Sequence, residues 1–174
     1  MKTIEYRTRT DKLEQWGAGP WVDEPDKKQW PDASTDMPCL IVRSRRGALC
    51  GYVGVPPGHP AHGAHYDSVD PHPDNVELTF SESCDPKGES EPEHHICHIV
   101  EPGEPDDVWW LGFDCAHYDD YVPGMDVGCD DRSSYKEIAY VEEQCAALAH
   151  HMKHRFRVGI IAMIRRIFTR GSGS

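Results

Sequence analysis

Apolar residues come in short runs separated by long polar stretches, and the spacing inside each run predicts its element. Cys39-Leu40-Ile41-Val42-Arg43 and Ala48-Leu49-Cys50-Gly51-Tyr52-Val53-Gly54-Val55 flank Ser44-Arg45-Arg46-Gly47, the pattern of two β-strands joined by a short glycine-containing turn. Gly51 and Gly54 thin the second strand, which predicts close approach of another backbone or a bulge. Val76-Glu77-Leu78-Thr79-Phe80 alternates polar with apolar as a third strand would, and His95-Ile96-Cys97-His98-Ile99-Val100 reads as a fourth. Val108-Trp109-Trp110-Leu111-Gly112-Phe113 reads as a fifth, buried strand that ends abruptly in the polar run Asp114 to Asp120.

The periodicity changes near the end of the chain. Ser134-Tyr135-Lys136-Glu137 fits a capping box, and Ile138, Val141, Cys145, Leu148 and Met152 then follow at helical spacing. One amphipathic helix over an antiparallel sheet of about five short strands, with long ordered loops, makes the expected fold α+β. The expected organisation is an irregular segment, 1–36, whose Trp16, Trp21 and Trp30 pin it across the core, then an α+β core domain, 37–152. A basic amphipathic tail, 153–170, carries Ile160, Ile161, Ile164, Ile167 and Phe168 on one face, and 171–174 is an appended Gly-Ser linker. The tail is too short and too charged to span a bilayer, so it docks on its own domain, on a partner or on a membrane surface.

Charge narrows the partners. Residues 1–152 hold 12 lysines and arginines against 30 carboxylates, a balance of −18, while the six remaining basic residues lie in the tail. Such a body repels nucleic acid and suits a basic protein surface or a small molecule better. The chain has seven cysteines but no Cys-x-x-Cys pair, and its first residues lack an apolar signal segment. Mostly free thiols in a cytoplasmic, non-secreted protein are therefore expected. Gly17-Ala18-Gly19-Pro20 lacks the helix of a phosphate loop, and no Gly-x-Ser-x-Gly elbow occurs.

Three clusters carry candidate chemistry: His59, His62 and His65 in a loop stiffened by Pro56, Pro57 and Pro60; Cys84 with His94, His95, Cys97 and His98; and Asp114, Cys115, His117, Asp119 and Asp120. His59, His62, Asp114 and His117 together would suit zinc or another divalent transition metal, with Asp120 as base toward a metal-bound water. In the structural alternative Asp114 caps its loop and His117 bonds backbone carbonyls. Cys115 beside His117 invites a nucleophile reading, although acidic neighbours raise a thiol's pKa.

Leu49-Cys50-Gly51-Tyr52-Val53-Gly54-Val55-Pro56-Pro57-Gly58-His59-Pro60-x-His62-Gly63, together with Trp109-Trp110-x-Gly112-Phe113-Asp114-Cys115-Ala116-His117-x-x-Asp120, resembles a family of small uncharacterised proteins of bacteriophages and prophages. Tyr135 to Val141 resembles that family's last helix, and the likeness spans about residues 20–150. Where the family tends to show His-Gly-Gly before Leu-Thr-Phe, this chain has Asn75-Val76-Glu77. The resemblance implies an accessory protein acting in the host cytoplasm on a host or host-defence component. The expected binding site is a pocket in which His59, His62 and Tyr66 of one loop meet Trp110, Asp114, His117 and Asp120 of the other. A metal-dependent hydrolase on the same residues, with His117, Asp120 and Cys115 as catalytic candidates, is the alternative.

Overall fold

A computed structural model describes residues 1–69, 77–84, 96–103, 106–125 and 133–169, the last fifteen of these by backbone alone. Among the described residues six strands form one antiparallel sheet: β1 (Ile4–Tyr6), β2 (Lys27–Pro31), β3 (Pro38–Arg43), β4 (Leu49–Val55), β5 (Phe80–Ser83) and β6 (Trp109–Asp114). Their order is β1-β2-β3-β4-β6-β5. A short helix, α1 (Lys12–Trp16), lies between the first two strands, and one long helix, α2 (Ile138–Thr169), closes the described chain. The α+β expectation holds, with one more strand than foreseen. No helix of the described residues is long and apolar enough to cross a membrane.

The β3–β4 hairpin forms where the apolar runs place it, with Leu40 opposite Tyr52 and Val42 opposite Cys50. Alternation then sorts the side chains. Cys39, Ile41, Val53, Leu111 and Phe113 face α2, whose Val141, Cys145, Leu148, Ala149 and Met152 complete a fully buried core. Leu40, Val42, Tyr52 and Trp110 face the other way and form a second, smaller core. Burial on both faces explains why these strands read as continuous apolar runs.

Several expectations are corrected. The first 36 residues are not irregular, because β1 and β2 extend the sheet from its β3 side. Residues 96–100 carry no regular element. They cross the second face, where the buried Gln29 amide accepts from Ile99 N–H at 2.8 Å and donates to Ile99 C=O at 3.2 Å. Cys97 there is disulfide-bonded to Cys84, so that pair departs from the free-thiol expectation, whereas Cys39, Cys50, Cys115 and Cys145 are free. The third strand begins at Phe80 rather than Val76, which lies outside the described residues, as do His94, His95 and Cys129.

Helix α2 starts at Ile138, not after a Ser134 cap. Its first amide, Ile138 N–H, donates to Glu24 Oε1 at 2.8 Å, so the cap comes from 114 residues upstream. Glu24 Oε2 also receives Arg43 Nη2 at 2.9 Å and the Tyr135 hydroxyl at 2.6 Å. Asp26 joins this buried group through Arg43 Nε at 3.3 Å and Lys12 Nζ at 3.1 Å. Opposite charges at these distances offset the desolvation each would suffer alone.

Candidate functional site

The two expected loops do not meet. In the antiparallel β4–β6 ladder, Val55 pairs with Trp109 and Cys50 with Asp114. The histidine loop therefore leaves one end of this strand pair and the Asp114 loop leaves the other, about 17 Å away at the usual rise per residue. The shared pocket of His59, His62, Tyr66, Trp110, Asp114, His117 and Asp120 is not formed, and His59, His62, Asp114 and His117 do not converge on one ion. Among the described residues no three of His, Cys, Asp and Glu are grouped to hold a metal.

At the first end, His59 is buried and works inside the fold. Its Nδ1 accepts from Ala61 N–H at 3.1 Å, which places the proton on Nε2, and Nε2 donates to the Met152 carbonyl at 3.1 Å. His59 thereby ties its loop to α2. His62 Nε2 donates to the Asp107 carbonyl at 2.8 Å, and the Trp109 indole N–H donates to Ala64 C=O at 3.1 Å. His65 lies against the Tyr66 ring at 4.2 Å and near Asp67. A cavity of about 60 Å³ between His59, Ala61, Val69 and Met152 has room for water but not for a substrate, whose pockets are several times larger.

Trp110 is fully buried on the second face and has no surface to offer a ligand. Cys115 is buried too. Burial, with the Asp120 carboxylate adding to it, holds its thiol far above the ordinary value, so the thiolate a nucleophile needs is suppressed. Burial likewise pushes the Cys39 thiol up to about 12. The nucleophile reading of Cys115 is corrected on these grounds.

At the second end, polar residues of the predicted cluster do assemble. Asp114, the last residue of β6, accepts Ala116 N–H on Oδ1 at 3.0 Å and the Thr79 hydroxyl on Oδ2 at 3.0 Å. Asp120 Oδ2 accepts His117 N–H at 3.1 Å and lies 3.5 Å from His117 Nδ1, while its Oδ1 is 3.6 Å from Lys136 Nζ. Backbone bonds from Tyr121 N–H to Ser134 C=O at 3.0 Å and from Ser134 N–H to Asp119 C=O at 3.3 Å clamp the loop against the segment before α2. Asp114 and Asp120 thus act as loop caps, which is the structural alternative foreseen for Asp114.

This clamped tip presents Tyr118, 84% exposed, between the exposed His117 and Asp119. Tyr118 was missed in sequence, although it follows the end of the β6 alternation and so has no core position to fill. Chemically the tip offers carboxylates and an aromatic face held in place by backbone bonds. Compared with protein-family models, curated proteins and solved structures, the chain matches none.

Proposed function

We propose that this chain is an accessory protein of the phage-encoded kind its motifs resemble, acting in the host cytoplasm by binding a basic surface of a host or host-defence protein. The observation that carries the reading is the Asp114–Asp120 tip, where Tyr118 is the most exposed large aromatic among the described residues and is flanked by Asp119. A tyrosine fixed by its loop contributes contact area at little conformational cost, and its ring accepts an arginine guanidinium while a neighbouring carboxylate pairs with it. The surplus of carboxylates over residues 1–152 would steer such a partner and repel nucleic acid.

The test compares the wild-type chain with Tyr118→Ala/Asp119→Asn, both exposed positions whose loss should leave the unfolding midpoint unchanged. Expressed in bacteria that carry a phage-defence system, wild type should raise the plating efficiency of a restricted phage at least tenfold. It should also retain one host protein in a capture that weakens with salt, and the double variant should lose both effects. Equal activity and equal capture by the two proteins would overturn the proposal.

A further inference from the structure

The strand ladders do not use residues 96–100, yet these residues lie across the second face of the sheet. They carry no regular element, and among the described residues no bond between main-chain groups joins them to a strand. Two ties hold them instead. One is the Gln29 amide, which bonds both main-chain groups of Ile99, and the other is the disulfide from Cys97 to Cys84, the residue after β5. Ile96 packs against the core of Leu40, Val42, Tyr52 and Trp110, and His98 lies edge-on to the Trp110 ring, while Ile99 is 58% exposed. This cover has a cost. His98 Nδ1 is buried with no hydrogen-bond partner among the described residues, Asp106 being 3.9 Å away, and the indole N–H of the fully buried Trp110 has none either. A buried polar atom left unpaired opposes the state that buries it, and water satisfies it once the cover lifts. The covalent link offsets that opposition by tethering Cys97 beside the end of β5.

The sulfurs of this link are the ones a reagent can reach. Cys84 and Cys97 are half-buried, whereas Cys39, Cys115 and Cys145 lie in the core. Burial pushes the Cys39 thiol up to about 12 and that of Cys50 up to about 11, and it holds Cys115 and Cys145 far above the ordinary value. The free thiols of the described residues therefore supply little thiolate to attack the link from inside. We propose that Cys84–Cys97 is a redox latch: its reduction by a small dithiol releases residues 96–100 and opens the second core to solvent, a device independent of the Tyr118 tip. One thiolate of the dithiol attacks a sulfur of the link, forming a mixed disulfide and freeing the other cysteine, which takes up a proton. The second thiol of the reductant then displaces the remaining cysteine and closes the reductant's own disulfide, so two electrons and two protons pass to the protein. Where such reductants abound the latch stands open. Glutathione disulfide closes it by the same exchange run the other way, leaving two glutathione thiols.

Amide exchange measured by NMR on the full-length chain, before and after dithiothreitol, tests the proposal. In the oxidised chain Ile99 N–H is protected by its bond to Gln29 Oε1. Reduction should lower that protection at least tenfold, while the amides of Leu40 and Tyr52 in the β3–β4 ladder keep theirs. The His98 ring, whose pKa burial lowers in the closed state, should titrate closer to the ordinary value of about 6.5 after reduction. Glutathione disulfide should restore both readings, and Cys84→Ser/Cys97→Ser should show the reduced pattern in either reagent. An Ile99 amide as protected after reduction as before would overturn the proposal, because Gln29 and the packing would then hold the cover without the link. So would an even loss of protection across the β3–β4 amides, which would make the link a staple of the whole fold, or a link that dithiothreitol leaves intact in the folded chain.

Discussion

Gly51 and Gly112 are matched to aromatic neighbours across the central strand pair. Gly51 pairs with Phe113 and Gly112 with Tyr52, on opposite faces of the sheet. A Cβ on Gly51 would fall inside contact distance of the Phe113 ring and 2.9 Å from Cys145 Sγ, and one on Gly112 would collide with the Tyr52 ring. Each glycine thus supplies the space an aromatic ring covers, which explains two glycines in strands that otherwise favour larger residues. Gly51→Ala is expected to cost about 1–3 kcal/mol in urea unfolding, the usual range for overpacking, and clearly less in a Phe113→Leu background. Equal costs in the two backgrounds would mean that the ring is not the obstacle. His98 shows a residue-scale effect of another kind. Its ring packs edge-on to Trp110 at 5.4 Å, and burial lowers its pKa although Asp106, 3.9 Å away, pulls the other way; the N-terminus and Lys27 reinforce the lowering. The folded state therefore favours neutral His98. Its contribution to stability is complete above the ordinary histidine value of about 6.5 and is lost as pH falls from there to the depressed folded value. The unfolding midpoint should drop between about pH 7.5 and pH 5, and His98→Gln should shrink the drop. An identical pH profile for the variant would remove His98 as its cause.

The elements that were legible in sequence are those whose own residues decide their environment. The β3–β4 hairpin, β6 and the sheet-facing part of α2 are apolar at the positions that face a core, so local pattern and tertiary position agree. β1 and β2 were illegible because their buried positions are polar and are satisfied only by distant partners. Lys27 lies 5.7 Å from the Tyr6 ring, Gln29 is paired with Ile99, and Lys28 on the other face bonds Glu142 of α2. The start of α2 failed for the same reason: Glu24, distant in sequence, caps the helix that Ser134-x-x-Glu137 was expected to cap. For the site, the Asp114 loop was legible as a polar strand end, but its union with the histidine loop was not. β4 and β6 are neighbours, and in an antiparallel pair the segments that follow the strands leave at opposite ends, but the expected sheet carried no strand order from which this pairing could be read. The cap has a measurable consequence. Glu24→Ala deprives Arg43, the Tyr135 hydroxyl and Ile138 N–H of their common acceptor in a buried group, and should destabilise by about 3–5 kcal/mol. Glu24→Gln keeps one carbonyl oxygen for Ile138 and should cost less. A loss below about 1 kcal/mol for the alanine variant, the level of an exposed ion pair, would show that the network is not desolvated.

At the scale of the whole molecule the buried and exposed charges behave as two populations. The inner group of Lys12, Asp26, Arg43 and Glu24 is out of reach of dissolved ions, because its side chains are at most 10% exposed. Outside it, residues 1–152 keep a balance of −18, and among the described residues only some of the remaining carboxylates pair with a lysine or arginine, as Asp120 does with Lys136 and Glu101 with Lys2. Folding concentrates that charge, and the repulsion acts over a range of about 30 Å at 0.01 M salt but only about 8 Å at 0.15 M. Raising the ionic strength across that interval should therefore raise the thermal midpoint, because screening relieves the folded state more than the expanded chain. The paired surface charges oppose this, since salt also weakens them, but exposed pairs are worth only about 0–1 kcal/mol each. The expected sign is stabilisation by salt, measured by calorimetry with sodium chloride so that anion-specific effects stay small. A midpoint that falls with salt would show that the exposed pairs, not the excess carboxylates, set the electrostatics of the surface, and would weaken the case for a basic partner recruited by that field.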